Sequence, residues 1–283
     1  MRPRILPALA LLVASTAAAG QSPGGKLGEP APPAVRAERA YETANALFEQ
    51  HKLPESLAAL EEALGADPKH VPALTLKAKI AIGANRLDIA GQSLERAVAA
   101  DPSSWYARFL YGFWYYLRDD WSHALAELGA SRKLNPRYAH APLYLGLTYE
   151  RMGDPARAVT FAEEAIRLEE AAGTPNADSL LVYARLLQVL GRLTDCGKAL
   201  NRALQLYPNS RDVHFAIARL LLRKGDANGA AKAAEEALPL PPGDVTDVQI
   251  RYLLVRAYSA AGRDQLAAAQ AAAIRAAENQ VGK

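Results

Sequence analysis

Cysteine is nearly missing from this chain. Cys196 is the single one among 283 residues, so no intrachain disulfide can form. A surplus of charge is missing as well. Lys and Arg number 33 against 30 Asp and Glu, and two of the basic residues, Arg2 and Arg4, belong to an N-terminal segment considered below. Without those two the balance is 31 to 30, which argues against nucleic acid or an anionic membrane as partner. Aromatic residues are sparse at 7 %, although 50 % of the chain is apolar. Alanine carries much of the remainder, a composition that suits helices packed closely through small side chains. Catalytic signatures are also lacking: there is no H-E-x-x-H, no G-x-S-x-G and no G-x-x-x-x-G-K-[ST]. His51, His70, His123, His140 and His214 have no partner at metal-ligand spacing on a shared helix face, so neither a metal nor a cofactor is expected. Paired carboxylates such as Glu61-Glu62, Glu163-Glu164, Glu169-Glu170 and Glu235-Glu236 read as a solvated outer face.

No apolar run is long enough to span a bilayer. The N-terminal one reaches about 15 residues, short of the ~20 a membrane helix needs. Residues 1–19 read as a secretory signal peptide: Arg2 and Arg4 start it, Ile5 to Val13 form its apolar centre, and Ala17-Ala18-Ala19 precede a cut before Gly20. The chain is therefore expected to be periplasmic or secreted, with no membrane span after cleavage. Residues 20–35, GQSPGGKLGEPAPPAV, read as a flexible linker, because four glycines and four prolines leave too little apolar surface to offset chain entropy.

What the chain has in abundance is period. Pro68, Pro102 and Pro136 lie 34 residues apart, as do Pro208 and Pro242, and the step between the two sets is two periods plus four residues. Such spacing marks a stack of helix–turn–helix units. Aligning on the prolines gives seven repeats near 37–70, 71–104, 105–138, 139–172, 177–210, 211–244 and 248–281, a repeat domain over 36–281. Small residues recur in register. The eighth position holds Ala44, Ala78, Gly112, Gly146, Ala184, Ala218 and Val255; the twentieth holds Ser56, Ala90, Ala124, Ala158, Cys196, Ala230 and Ala267. Small side chains at fixed positions let helix axes approach, and they place Cys196 inside. Gly153, Gly191, Gly225 and Gly262 fall at the turn within a pair, where the first repeat has Lys52 instead.

Leu145-Gly146, Tyr149, Gly153, Ala158 and Ala165 in the fourth repeat, with Ala184, Leu187, Gly191, Ala203 and Pro208 in the fifth, resemble the tetratricopeptide repeat family. The fourth repeat departs from it with Glu170 in place of proline, followed by GTPNADS as an extended turn. The resemblance implies an all-α fold: a right-handed superhelical solenoid of about seven repeats. It also implies a concave groove lined by positions 2, 5, 9, 12 and 13 of each first helix. The family's carboxylate clamp is not carried over. Asn45 matches one of its places, but Tyr41, Leu76 and Tyr106 do not match the others.

Two features stand at the groove positions. Arg185, Arg219 and Arg256 occupy position 9 of the last three repeats, with Arg223 one turn from Arg219 and Arg151 at position 13 of the fourth. Guanidinium groups in a ladder suit carboxylates, which they bind through paired hydrogen bonds. The opposing reading is a solvated face neutralised by Asp178 and Asp212. The third repeat is rich in aromatics, of which Tyr106, Phe109, Phe113 and Tyr116 are expected to form an apolar groove floor, whereas Tyr111, Tyr115 and Trp121 read as core. The expected function is a non-enzymatic interaction scaffold. Its partner would be a protein or peptide that presents apolar side chains to the aromatic floor and acidic groups or a C-terminal carboxylate to the arginines. A structural subunit of a cell-envelope or secretion assembly, and a carrier of a small anionic ligand, are the alternatives.

Overall fold

The computed structural model describes residues 31–281; the residues read as signal peptide, and the linker up to residue 30, lie outside the described residues. Among the described residues there are fourteen helices and no strand, so the all-α reading holds. They fall into two compact units divided between Asn135 and Pro136. In the first unit, α1 (Pro33–Glu49), α2 (Leu53–Ala66), α3 (Val71–Gly83), α4 (Leu87–Ala100), α5 (Trp105–Leu117) and α6 (Trp121–Leu134) form three pairs. In the second, α7 (His140–Arg151), α8 (Pro155–Ala171), α9 (Ala177–Val189), α10 (Leu193–Leu206), α11 (Arg211–Arg223), α12 (Ala227–Ala237), α13 (Asp247–Ala260) and α14 (Asp264–Val281) form four. Each helix packs on its successor within its unit, and first helices also touch first helices: α1 on α3, α3 on α5, α9 on α11, α11 on α13.

The local chemistry explains where helices begin. Ser104, Asp120, Asp154, Asn176, Ser210 and Asp226 each cap a helix by accepting a backbone N–H with the side chain, and Thr246 with Gln249 forms a capping box. Helix α1 starts at Pro33, inside the stretch read from sequence as linker. Proline at the first helical position needs no N–H partner, and Ala34 to Ala37 continue the helix readily.

The turn within each pair needs one residue in the left-handed conformation. Glycine fills it in the later repeats, with φ +79° at Gly153 and +85° at Gly225. In the first three repeats His51, Asn85 and Asp119 take it, at φ 59°, 57° and 59°. The residue replacing glycine in the first repeat is thus His51; Lys52, the sequence-based choice, is the N-cap of α2.

Small residues sit where the helices cross. Ala44, Ala78 and Ala218 at the eighth position, and Ala90, Ala124, Ala158, Cys196 and Ala230 at the twentieth, have no more than 1 % of their surface exposed. The close approach is tightest at the glycines. A Cβ added to Gly112 would lie 2.9 Å from the Leu128 backbone nitrogen, and one added to Gly146 would lie 3.0 Å from the Ala158 carbonyl oxygen.

The four-residue insertion after the fourth repeat and a three-residue shift before the seventh, around Gly243-Asp244, are the two departures from the period, and both are tied down. Before α13, the Arg211 guanidinium is buried and donates to the carbonyls of Leu238 and Leu240 and to Asp247. Its neighbour Asp212 accepts the backbone N–H groups of Asp244 and Val245. Between α8 and α9, Tyr207 donates to the Pro175 carbonyl at 2.5 Å.

The insertion also corrects one sequence reading. Glu169, taken with Glu170 as solvated, is only 5 % exposed, because the extended turn folds Ser179 back over the end of α8. The Ser179 hydroxyl donates to its carboxylate at 2.5 Å. Burial pushes the Glu169 carboxyl up to about 7, with Asp178 and Glu170 adding to the rise and the Ser179 and Asn176 donors opposing it. The folded state thus holds this proton more tightly than the unfolded chain, whose carboxyl titrates near 4.5. The stability it contributes is full below that value and is lost as pH rises through about 7. Glu169→Gln, which is uncharged throughout, is expected to raise the melting temperature above wild type at pH 8 and to lose that advantage below pH 5, in thermal scans across the range.

Candidate functional site

The first-helix positions assigned to the groove divide by unit. In the first unit, Phe109 and Phe113 are 0 % and 3 % exposed, their rings parallel with centroids 6.4 Å apart. Buried rings offer no floor to a ligand, and the reading of these two as open groove residues is corrected to packing. Tyr106 is half-buried and stacks on Phe109 at 6.4 Å; burial, then the neighbouring Tyr41, pushes its hydroxyl up to about 12. Tyr116 is half-buried with its ring edge-on to Trp121 at 5.8 Å. Tyr111 and Tyr115 join hydroxyls at 3.0 Å within α5, and Trp114 donates to the Leu87 carbonyl at 2.6 Å, so Trp114 ties the third repeat to the second.

The same face holds residues that composition does not single out. Lys79, at position 9 of the second repeat, places its ammonium 4.6 Å above the Phe48 ring. Burial lowers its proton affinity, with Glu49 acting in the opposite sense. Tyr41 stands 5.5 Å from the His70 ring, and His70 pairs with Glu38 at 3.0 Å. A lone lysine among aromatic residues carries no compositional signal; only the repeat register shows its place.

In the second unit the arginines come together. Arg219, in the third turn of α11, is held below the usual guanidinium range first by burial and then by the charges of Arg185, Arg256 and Arg223. Three cations thus act on one, from α9, α13 and its own helix. Arg185 pairs with Glu150 of α7. No carboxylate is among the charges acting on Arg219, and Arg219, Arg223 and Arg256 are all exposed. Arg151, exposed at the end of α7, lies on the following residue from Glu150.

The two aspartates weighed as neutralisers point elsewhere. Asp178 is raised by burial and then by Asp244 and Asp212, so its charged neighbours are other carboxylates. Asp212 is engaged with the backbone at Asp244 and Val245. Seven residues separate Asp178 from Arg185 and Asp212 from Arg219, a rise of about 10 Å along each helix. The face therefore has an acidic end and a basic end. Between them, at position 5, stand Leu181, Phe215 and Tyr252, the last 51 % exposed. Val189, one turn beyond Arg185, is 60 % exposed. This apolar row was missed because its members are ordinary residues, conspicuous only when the repeats are overlaid.

Elsewhere the chemistry is quiet. Cys196 is buried, with the Gln188 amide 3.5 Å from its sulfur, and burial raises its thiol. His214 has the Pro208 carbonyl at 2.8 Å and Glu236 at 3.3 Å. Among the described residues no group of three or more His, Cys, Asp or Glu is placed to hold a metal ion, and no helix is long and apolar enough to cross a membrane.

Paired helices stacked in series define a helical-repeat protein, a class typical of interaction scaffolds. The comparisons name the family. A model of the tetratricopeptide repeat matches residues 41–104, 115–177 and 181–245, and the chain belongs to that family. No curated protein matches significantly. Solved structures share the fold. One, from a functional characterisation of Pseudomonas aeruginosa pilF, is 19 % identical with a TM-score of 0.65, covering 75 % of this chain and 94 % of its own. A tetratricopeptide repeat protein from Parabacteroides merdae is 16 % identical with a TM-score of 0.64, covering 86 % and 93 %. YrrB, described as a TPR protein with an unusual peptide-binding site, is 15 % identical with a TM-score of 0.54, covering 71 % and 98 %.

Proposed function

We propose that this chain is an exported, non-enzymatic scaffold that holds a segment of a partner protein against the first helices of its second unit. The observation that carries the reading is the exposed Arg219 of α11, which stands at the same register as Arg185 of α9 and Arg256 of α13 on helices that touch, with no carboxylate among the charges acting on it. Like charges gathered at one register repel one another, and an acidic ligand relieves that repulsion. Exposed Tyr252, whose hydroxyl donates to Glu278, and exposed Val189 flank the arginine register one turn to either side and give a segment's apolar side chains a place to rest. Likeness of fold to a structure described as having an unusual peptide-binding site is consistent with this reading. Export rests on Arg2, Arg4 and the apolar run that follows, in residues outside the described structure.

Fluorescence anisotropy of labelled hexaglutamate with the full-length protein tests the reading. Saturable binding that weakens steeply between about 50 and 300 mM salt is expected, with none for hexalysine. Failure of hexaglutamate to bind at low salt would refute it.

A further inference from the structure

The arrangement of the arginines specifies the spacing of acidic groups in their occupant, an inference that rests on the function proposed above. Arg185, Arg219 and Arg256 share one register on α9, α11 and α13, and α11 touches both flanking helices. Arg219, on the middle helix of the three, therefore stands between the other two. Guanidinium groups at one register of adjacent parallel helices form a row crossing the helix axes, with a step set by the interaxial distance of roughly 8–10 Å. An extended chain advances about 3.1–3.4 Å per residue, so three residues cover that step. In the polyproline II conformation, which has three residues per turn, every third side chain also faces the same way. Two residues of extended chain fall short of the step, and one turn of α-helix, at about 5.4 Å, spans little more than half of it.

The row is not uniform. Arg185 is already paired with Glu150, so its rung is filled from within the chain. Arg219 and Arg256 remain, with Arg223 one turn from Arg219 to share the first carboxylate. We infer that the second unit reads an extended acidic protein segment carrying carboxylates three residues apart, at i and i+3, one on Arg219 and one on Arg256. Glu150 acts as an internal competitor that excludes a third carboxylate at i−3 from Arg185. The specificity then lies in spacing as well as in charge, because peptides of equal charge but different spacing satisfy one rung instead of two.

The test uses the full-length protein and short labelled peptides of Ser and Pro that carry two glutamates either three or two residues apart, with equal net charge. In wild type the three-residue spacing is expected to bind roughly five- to tenfold more tightly, the value of one added charge-assisted contact. Arg256→Gln is expected to abolish that preference while leaving the weaker binding in place. A third glutamate three residues further on is expected to add less than about twofold in wild type and several-fold in Glu150→Gln, where Arg185 is released. Equal affinity for both spacings in wild type would overturn the inference and leave the arginine face intact as a binding site. Absence of binding by every peptide would overturn both. Full competition by citrate at matched carboxylate concentration would make the site one for small anions and would also overturn the inference.

Discussion

Gly146→Leu is expected to lower the unfolding free energy by ~1–3 kcal/mol, read as a fall in the melting temperature or in the denaturant midpoint. The reason is the crossing of α7 over α8. At Gly146 even the first carbon of a side chain would lie 3.0 Å from the Ala158 carbonyl oxygen and 3.3 Å from the Ala162 nitrogen. Both contacts are backbone of a helix that cannot yield locally, so the two axes must separate. The loss then spreads, because a repeat draws its stability from the interfaces with its neighbours. Gly146→Ala, which adds one carbon, is expected to lose less. Gly129 on α6 has nothing within 4 Å of such a carbon, so Gly129→Leu serves as the control and should leave unfolding almost unchanged. An unaltered transition for Gly146→Leu would mean that the eighth position is not where this pair of helices touches.

Arg219→Glu is expected to weaken hexaglutamate binding by about ten- to a hundredfold and to flatten its salt dependence. The substitution removes a charge-assisted donor and places a carboxylate between Arg185 and Arg256, where it neutralises the cations the ligand needs. The fold should not suffer, since the variant exchanges mutual repulsion for attraction at an exposed place. Its melting temperature is expected to equal or exceed that of wild type, so lost binding cannot be assigned to unfolding. Lys232→Glu makes the same change of charge at an exposed position on the second helix of that repeat and should alter binding by less than about twofold.

The fold was legible because it is written redundantly. Seven repeats state the same helix pair, and an error at one turn, such as choosing Lys52 over His51, is corrected by the others. Prolines and capping residues fix helix ends locally, and buried alanines mark crossings at a register that any two repeats reveal. The site was legible in part for the same reason: Arg185, Arg219 and Arg256 stand at one position of three repeats, and the structure brings their charges together. The rest depends on contacts between repeats, which no single repeat encodes. Whether Phe109 and Phe113 line a groove or fill an interior is settled by what packs over them, and they are buried. Asp178 lies in the same helix as Arg185, yet its charged neighbours are Asp212 and Asp244. Glu150 is unremarkable in its own helix and becomes decisive only by reaching Arg185 on the next pair. The burial of Glu169 follows from a four-residue insertion that the repeat pattern itself cannot describe.

Photo-crosslinking in the native cell tests the central claim most directly. A benzoylphenylalanine is placed at Val189, which is 60 % exposed beside the arginine row, or at Lys232 on a second helix. The account predicts that position 189 crosslinks a partner through a segment rich in Asp and Glu, that position 232 does not, and that adding Arg219→Glu removes the product. A partner crosslinked from position 232 but not from 189, or one captured at 189 regardless of Arg219→Glu, would contradict it.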